Sequence, residues 1–518
     1  MMKAIVVKAR VLKFFLVLLS LVAVVACYTP SHHHKNYNNN KGFGKKDTDD
    51  KKKNGAAAAA ASATTSTTTV KSGRRYLEPF ALELAGDNED NDNDNDNDND
   101  NDNGDGERSV RTLTDRPAGD ILLEIPLEDT ITVGRIRARL SSCEKEDSVN
   151  DEQSQSESES DDNEEEELAL GLLRLRYEAL DPYVVDVLPK KHFNVWTLPV
   201  DLWKETSTVL PRCYSETFDA TRHRVNDFAK RIATSYTEYT MDDALWAFSM
   251  VRSRSVAVPE LDDDNDNIND NDNGRMPLAL IPGLDLLNHA FGSGTQLQLV
   301  VDDDDDDDDE GNGNDRSKSK SKSKWVVSSS DSIEAGDEVF LSYGDEKDNW
   351  KLLLTYGFAV PNNPNAIVFW SWGDLLDAAH EVRPNTFTDP VCRQLMRHPQ
   401  LEAYTVASEN RATFSYDTQT NTPRESLSNG LTMLNSLAAQ LGHPETEKNS
   451  LAKQVLRELR RCRLDELREG QSKLKDQQAE LQRKRLEEYS EWKPFFESLR
   501  VALESELRQL QTTQTDYE

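Results

Sequence analysis

Leu280-Ile281-Pro282-Gly283-Leu284-Asp285-Leu286-Leu287-Asn288-His289 lies near the middle of the 518-residue chain and decides how the rest is read. A Pro-Gly turn interrupts an apolar run, which then ends on two polar side chains. Inside a core such a pair needs partners or a use. Downstream comes Glu334-Ala335-Gly336-Asp337-Glu338-Val339-Phe340-Leu341-Ser342-Tyr343-Gly344, a turn signal leading into a short apolar strand. Asn349 and then Tyr356-Gly357-Phe358 follow. An Asn-His pair alone is a weak signal; the whole ordered set is a specific one.

Working outward, Trp325 to Val327 and Val339 to Leu341 read as short strands around the Glu334-to-Asp337 turn. Ile121-Leu122-Leu123-Glu124-Ile125-Pro126 reads as a strand ended by proline, entered through the Ala118-Gly119-Asp120 turn. Leu168, Leu172, Leu175 and Leu180 recur near helical spacing and predict a helix over 168–180. Asp242 to Arg252 predicts another, with Asp242 as its cap. From about residue 366 the pattern turns helical. Leu451, Val455, Leu459, Leu467, Leu474 and Leu481 form one long stripe, and a second helix is predicted over about 492–510.

Length alone suggests about three domains, but low-complexity sequence lowers the folded share. Four acidic tracts, Asp87 to Glu107, Glu144 to Glu167, Glu260 to Asp272 and Asp302 to Glu310, hold 40 acids against a net charge of −33. The acidity therefore belongs to inserts, and the remainder is close to neutral. Such tracts bury too little apolar area to offset chain entropy, so disorder is expected in them and across residues 28–103. They supply no basic footprint, so no direct nucleic-acid partner is expected. Cys27, Cys143, Cys213, Cys392 and Cys462 are too scattered for a zinc pattern or a disulfide framework, and no metal is expected.

Lys3, Lys8, Arg10 and Lys13 precede an apolar run from Phe14 to Ala26. The run is short for a bilayer span of about 20 residues. With small residues at its end it predicts a signal peptide over residues 1–27, or an uncleaved signal anchor that would tie the chain to a membrane. Entry into the secretory pathway is expected. A transit peptide within residues 28–75 would direct the chain on to a plastid; without one the destination is the ER or the exterior.

The ordered motif set resembles the cofactor and active-site core of SET-domain methyltransferases, more narrowly those of the Rubisco large-subunit lysine methyltransferase type. That resemblance implies an α+β fold. A β-rich SET domain would span 104–360, with a helical insert at about 168–252 and disordered acidic inserts at 144–167, 260–274 and 302–324. An all-α substrate-binding domain would follow at 366–518. It implies S-adenosyl-L-methionine as cofactor, a lysine side chain of a protein substrate as methyl acceptor, and a monomer. The lack of a cysteine cluster after the core fits this branch.

Residue by residue, the resemblance implies Tyr343 as the active-site tyrosine, orienting the amine beside the transferring methyl. Asn288 and His289 would hold the two ends of the cofactor. Arg254, in the Ser253-Arg254 pair closing a helix, would reach the cofactor carboxylate and border the substrate. Tyr356 and Phe358 would form the aromatic wall. Asp285 would lie near the substrate lysine. Gly104 and Gly106 would supply the Gly-x-Gly turn at the cofactor, although Glu107 and Arg108 depart from the apolar continuation expected there. One lineage of this branch methylates histidine and has an asparagine two residues after the arginine. Here that position is Val256, which cannot hydrogen-bond an imidazole, so lysine is the expected acceptor. A non-catalytic binding module with the same fold is the third reading.

Overall fold

Two short strands open the fold. β1, Leu82–Ala85, pairs antiparallel with β2, Ser109–Thr112, placing Leu82 opposite Thr112 and Ala85 opposite Ser109. The structure is a computed structural model that describes residues 77, 80, 82–85, 109–143, 161–191, 194–259, 277–300, 323–344, 346–365, 367–396, 414–418, 422–440 and 448–512. Order therefore begins before the Asn-Asp repeat, against the expectation of an unstructured stretch to residue 103. Leu77 and Leu82 are buried. The short run Leu82-Glu83-Leu84-Ala85 supplies an apolar strand that composition averaged over the repeat hides.

β3, Ile121–Pro126, has the predicted range, with Leu122, Leu123 and Ile125 buried. The helix Met241–Arg254 feeds directly into β4, Ser255–Ala257, which pairs with β5, Leu278–Leu280. β6 is the polar pair Asn288–His289 itself. β7, Thr295–Val300, and β8, Lys324–Ser329, complete an antiparallel sheet in the order β3-β8-β7. Val300 and Lys324 stand directly opposite each other, so the acidic insert leaves and re-enters at one hairpin end. β9, Phe340–Leu341, lies parallel to β6, with Asn288 beside Phe340 and His289 beside Leu341. This pairing brings the two decisive sequence stretches together.

The helical insert corrects two expectations. Its first helix runs Asp161–Tyr177, so the end of the second acidic tract is ordered. The reason is charge pairing: Glu165 takes Arg224 at 2.9 Å and Arg252 at 2.6 Å, Glu166 takes Arg231 at 2.5 Å, and Glu167 takes Arg137 at 2.9 Å. Glu164 accepts a hydrogen bond from the Leu278 amide at 2.7 Å, tying the helix to β5. In the next case, Thr240 rather than Asp242 caps the Met241–Arg254 helix. Its hydroxyl accepts from the Asp243 amide, and the Asp243 carboxylate receives the Thr240 amide in return.

Beyond residue 366 the region is helical, as expected, and also carries a small sheet. β10, Ile367–Trp370, pairs with β11, Phe414–Asp417, and that with β12, Thr422–Pro423. The predicted stripe lies on one helix, Lys448–Lys484, packed against Leu486–Thr512. This last helix starts ahead of the predicted Trp492 and runs through Pro494. All six stripe residues are buried. At about 1.5–3 kcal/mol each, their burial contributes on the order of 10 kcal/mol before chain entropy is counted.

One buried cluster joins these helices to the core. Arg463, 1% exposed, donates to the Phe369 carbonyl at 2.5 Å and to Cys213 Sγ at 2.9 Å. Trp350 stacks on Tyr214 at 4.4 Å, and its indole donates to Glu506 on the last helix. Among the described residues no helix is long and apolar enough to cross a membrane. The signal-peptide segment, the 260–274 insert, and Gly104 and Gly106 lie outside the described residues.

Candidate active site

A strand end, a helix end and one loop meet at Tyr343. β6 and β9 run side by side, so Tyr343, two residues past β9, folds back over Asn288-His289. The Tyr343 amide donates to His289 Nδ1 at 3.1 Å, and the Tyr343 hydroxyl donates to the Leu287 carbonyl at 2.6 Å. Both ends of the tyrosine are thereby fixed to the 280–289 stretch. Burial pushes the phenol up to about 12, with Arg254 opposing and Asp285 and Glu338 reinforcing the shift. At neutral pH it keeps its proton, so it acts as a donor and a dipole rather than as a base.

The helix Asn349–Tyr356 delivers the next rings. Asp348 caps it, accepting from the Trp350 and Lys351 amides at 2.8 and 3.0 Å. Gly357 ends it in the left-handed region at φ 81°, the usual reason for glycine at a helix C-terminus. Asn349 then clips the returning chain: its Oδ1 receives the Val360 amide at 2.9 Å and its Nδ2 donates to the Val360 carbonyl at 3.0 Å. The clip turns Tyr356 and Phe358 toward Tyr343. Ring centroids lie 4.8 Å apart for Tyr343–Tyr356, 5.9 Å for Tyr356–Phe358, 5.2 Å for His289–Tyr343 and 6.0 Å for His289–Phe358. Phe291 closes on His289 at 4.4 Å. Three rings, those of His289, Tyr356 and Phe358, thus stand around one phenol, with Phe291 behind His289, and such faces attract a sulfonium or an ammonium.

Arg254 ends its helix at the mouth of β4. Its Nη1 donates to the Asp285 carbonyl and lies 3.4 Å from the Asp285 carboxylate, while its buried Nε has no hydrogen-bond partner. Asp285 is fully enclosed at its side chain. The carboxylate accepts from the Gly283 amide at 3.1 Å, and burial pushes its carboxyl up while Arg254 opposes. The sequence placed Asp285 beside substrate; the structure shows its carboxylate turned inward onto Arg254 and the Gly283 turn. Gly283, at φ 92°, is the hinge that lets the chain make this turn. Asn288 donates from Nδ2 to Glu338 at 2.7 Å, which locks β6 to the stretch that leads through β9 to Tyr343. Val256 pairs with Ala279 in β4–β5, and its side chain packs against the core.

Sequence reasoning missed three participants: Phe291, Tyr183 and Lys347. Phe291 stands two residues past His289, near enough to be suspected. Tyr183 is buried beside Asp285; burial and then the Asp285 charge push its phenol up. No periodicity points to it, because it belongs to a π-helical turn over Tyr183–Val187. Lys347 folds its ammonium back onto the Tyr343 carbonyl, and only the fold reveals that.

No family model matches the chain. In sequence it is similar to SET domain-containing protein 4 of Artemia parthenogenetica, 26% identical over 193 residues, or 36% of this chain and 42% of that protein. It is also similar to the chloroplastic ribulose-1,5 bisphosphate carboxylase/oxygenase large subunit N-methyltransferase of Pisum sativum. There it is 32% identical over 123 residues, or 24% of this chain and 20% of that protein. The chain thus spans less than half the length of the curated relatives it matches. Among solved structures, a SET domain of LSMT bound to lysine and AdoHcy aligns over 87% of this chain and 92% of that one, at TM-score 0.48 and 16% identity. By its motif core and these matched stretches, the chain resembles SET-domain methyltransferases of the Rubisco large-subunit type.

Proposed function

We propose that the chain is a protein-lysine N-methyltransferase that uses S-adenosyl-L-methionine. The observation that carries this reading is Tyr343: a phenol held protonated, aimed at a backbone carbonyl and ringed by aromatic faces, beside the Asn288-His289 strand. The relatives give the reading its name. The Pisum sativum protein is a large subunit N-methyltransferase, and the solved LSMT SET domain was crystallised with lysine and AdoHcy.

The residues present fit the cofactor. Arg254 keeps a buried Nε without a partner, a charged donor suited to a carboxylate. Asn288 and His289 offer backbone and side-chain polar groups at one strand, and Tyr356 and Phe358 offer faces for a positive charge. When bound, the cofactor supplies a methyl group on a positively charged sulfur. The chain's own residues do the rest. Tyr343 and the Leu287 carbonyl present oxygen atoms where a positive charge or a polarised methyl is received. The surrounding rings exclude water and strengthen each such contact. Holding amine and methyl donor on one axis supplies several kcal/mol more, since in-line displacement needs alignment above all. Asp285 serves to position Arg254. Lysine is preferred to histidine as acceptor because the Val256 side chain has no polar atom with which to hold an imidazole.

Binding is the first test. Calorimetry on the full chain should show saturable binding of S-adenosylmethionine. Asn288→Ala removes the clip to Glu338 and a polar group at the cofactor, and should weaken affinity about tenfold or more, consistent with one or two lost hydrogen bonds. Unchanged affinity in a folded Asn288→Ala protein would remove Asn288 from the cofactor site.

A further inference from the structure

Lys347 is an ammonium with an unusual set of partners. It donates to the Tyr343 carbonyl, and its Nζ stands 5.5 Å over the Tyr356 ring. Among the described residues no carboxylate pairs with it. Burial lowers its amine's affinity for a proton, and neighbouring Lys351 adds to that. A carbonyl oxygen together with an aromatic face is the chemistry that receives a lysine side chain from elsewhere.

The surroundings are built for this pose. Gly344, at φ 130°, leaves open the space the side chain crosses: a Cβ there would stand 2.8 Å from Lys347 Nζ and 3.6 Å from its Cε. The Lys347 backbone is pinned independently. Its amide donates to the Gly344 carbonyl at 3.3 Å, and its carbonyl accepts from Asn363 Nδ2 at 3.0 Å and from Asn365 Nδ2 at 3.5 Å. The tip can therefore leave by side-chain rotation alone, without opening the loop. Such rotations are fast beside a catalytic turnover.

We propose that Lys347 is a specificity-determining residue of this site. Its ammonium stands in for the substrate's against Tyr356 and must swing aside when one enters. The proposal rests on the methyl-transfer reading for the identity of the incoming group. An internal occupant present about nine-tenths of the time lowers the apparent affinity of a competitor about tenfold. It thereby raises the affinity that any lysine must reach, so at limiting concentration only a substrate with further contacts occupies the site.

The test uses n-butylammonium, a lysine side chain without its peptide, with binding to the full chain read by ligand-observed NMR. Lys347→Met keeps the side-chain length and removes the charge, and Lys347→Gln is a second replacement of different shape. Thermal melts confirm that both fold. Both variants should bind the probe about tenfold more tightly than the wild type, as removal of a nine-tenths occupant requires. The gain should vanish when Tyr356→Leu is added to Lys347→Met. Equal affinity in wild type and both variants, including no binding in any, would overturn the proposal. So would a gain that survives loss of the Tyr356 ring. Labelled methyl transfer measured on the same proteins keeps the two ideas apart. Transfer without a Lys347 effect on binding rejects this inference alone, and a binding gain without transfer rejects the function alone.

Discussion

Tyr343→Phe is expected to slow methyl transfer about a hundredfold, with cofactor affinity and fold close to wild type. The substitution removes one oxygen and keeps a ring packed at 4.8 Å from Tyr356 and 5.2 Å from His289. Loss of its hydrogen bond to the Leu287 carbonyl costs stability only about 1 kcal/mol. Loss of one positioned polar group at a transition state costs about 3 kcal/mol in a dry site. The rate term is the larger, so the variant should be stable and slow. Because the phenol is pushed up to about 12, its ionisation should leave no inflection in the rate profile between pH 6 and 9. Single-turnover transfer beside cofactor affinity is the measurement. A rate within about twofold of wild type would take Tyr343 out of the chemical step. A large affinity loss with an unchanged saturating rate would move it to cofactor binding.

Glu165→Ala should destabilise the chain by about 2 kcal/mol or more. Glu165 sits between Arg224 and Arg252, at 2.9 and 2.6 Å, with its side chain 18% exposed and that of Arg252 9%. Burial and the nearby Arg252 charge hold Arg224 down to about 10, so two guanidiniums already strain against each other there. Without the carboxylate both guanidiniums lose the charge they share while staying largely buried, and breaking such a pair by removing one partner is costly. Partial exposure keeps the figure below the fully buried range. The effect should reach the site as well, because Arg252 lies on the helix that ends at Arg254. Urea denaturation gives the number. A change under about 0.5 kcal/mol would mean that other contacts of the Asp161–Tyr177 helix hold it without Glu165.

The same residue shows where sequence reading stopped. Leucine spacing announced the helix from Leu168, but Glu164 to Glu167 read as solvated because their partners lie far off in sequence, from 30 positions for Glu167 and Arg137 to 114 for Glu164 and the Leu278 amide. Strand β3 was legible to its last residue because proline and a Gly-Asp turn bound it. Thr240 escaped as the cap although Thr-x-x-Asp is written in the chain; Asp242 sits closer to the apolar run and drew the assignment. The sheet β10–β11–β12 was hidden by the leucine stripe beyond it, although Ile367 to Trp370 is an apolar strand by composition. At the site, Asn288, His289, Tyr343, Tyr356 and Phe358 were legible as a set, and β6–β9 pairing brings them together. The inward turn of Asp285 and the back-folded tip of Lys347 were not, since side-chain direction depends on neighbours that only the fold supplies.

Transfer itself tests the central claim most directly. The full chain is incubated with methyl-labelled S-adenosylmethionine and cell extract, and the labelled residue is mapped by mass spectrometry, with Tyr343→Phe run in parallel. The account predicts label on lysine Nζ of a protein, reduced about a hundredfold in the variant. Label on histidine, equal labelling by wild type and variant, or saturable cofactor binding with no labelled protein at all would contradict it.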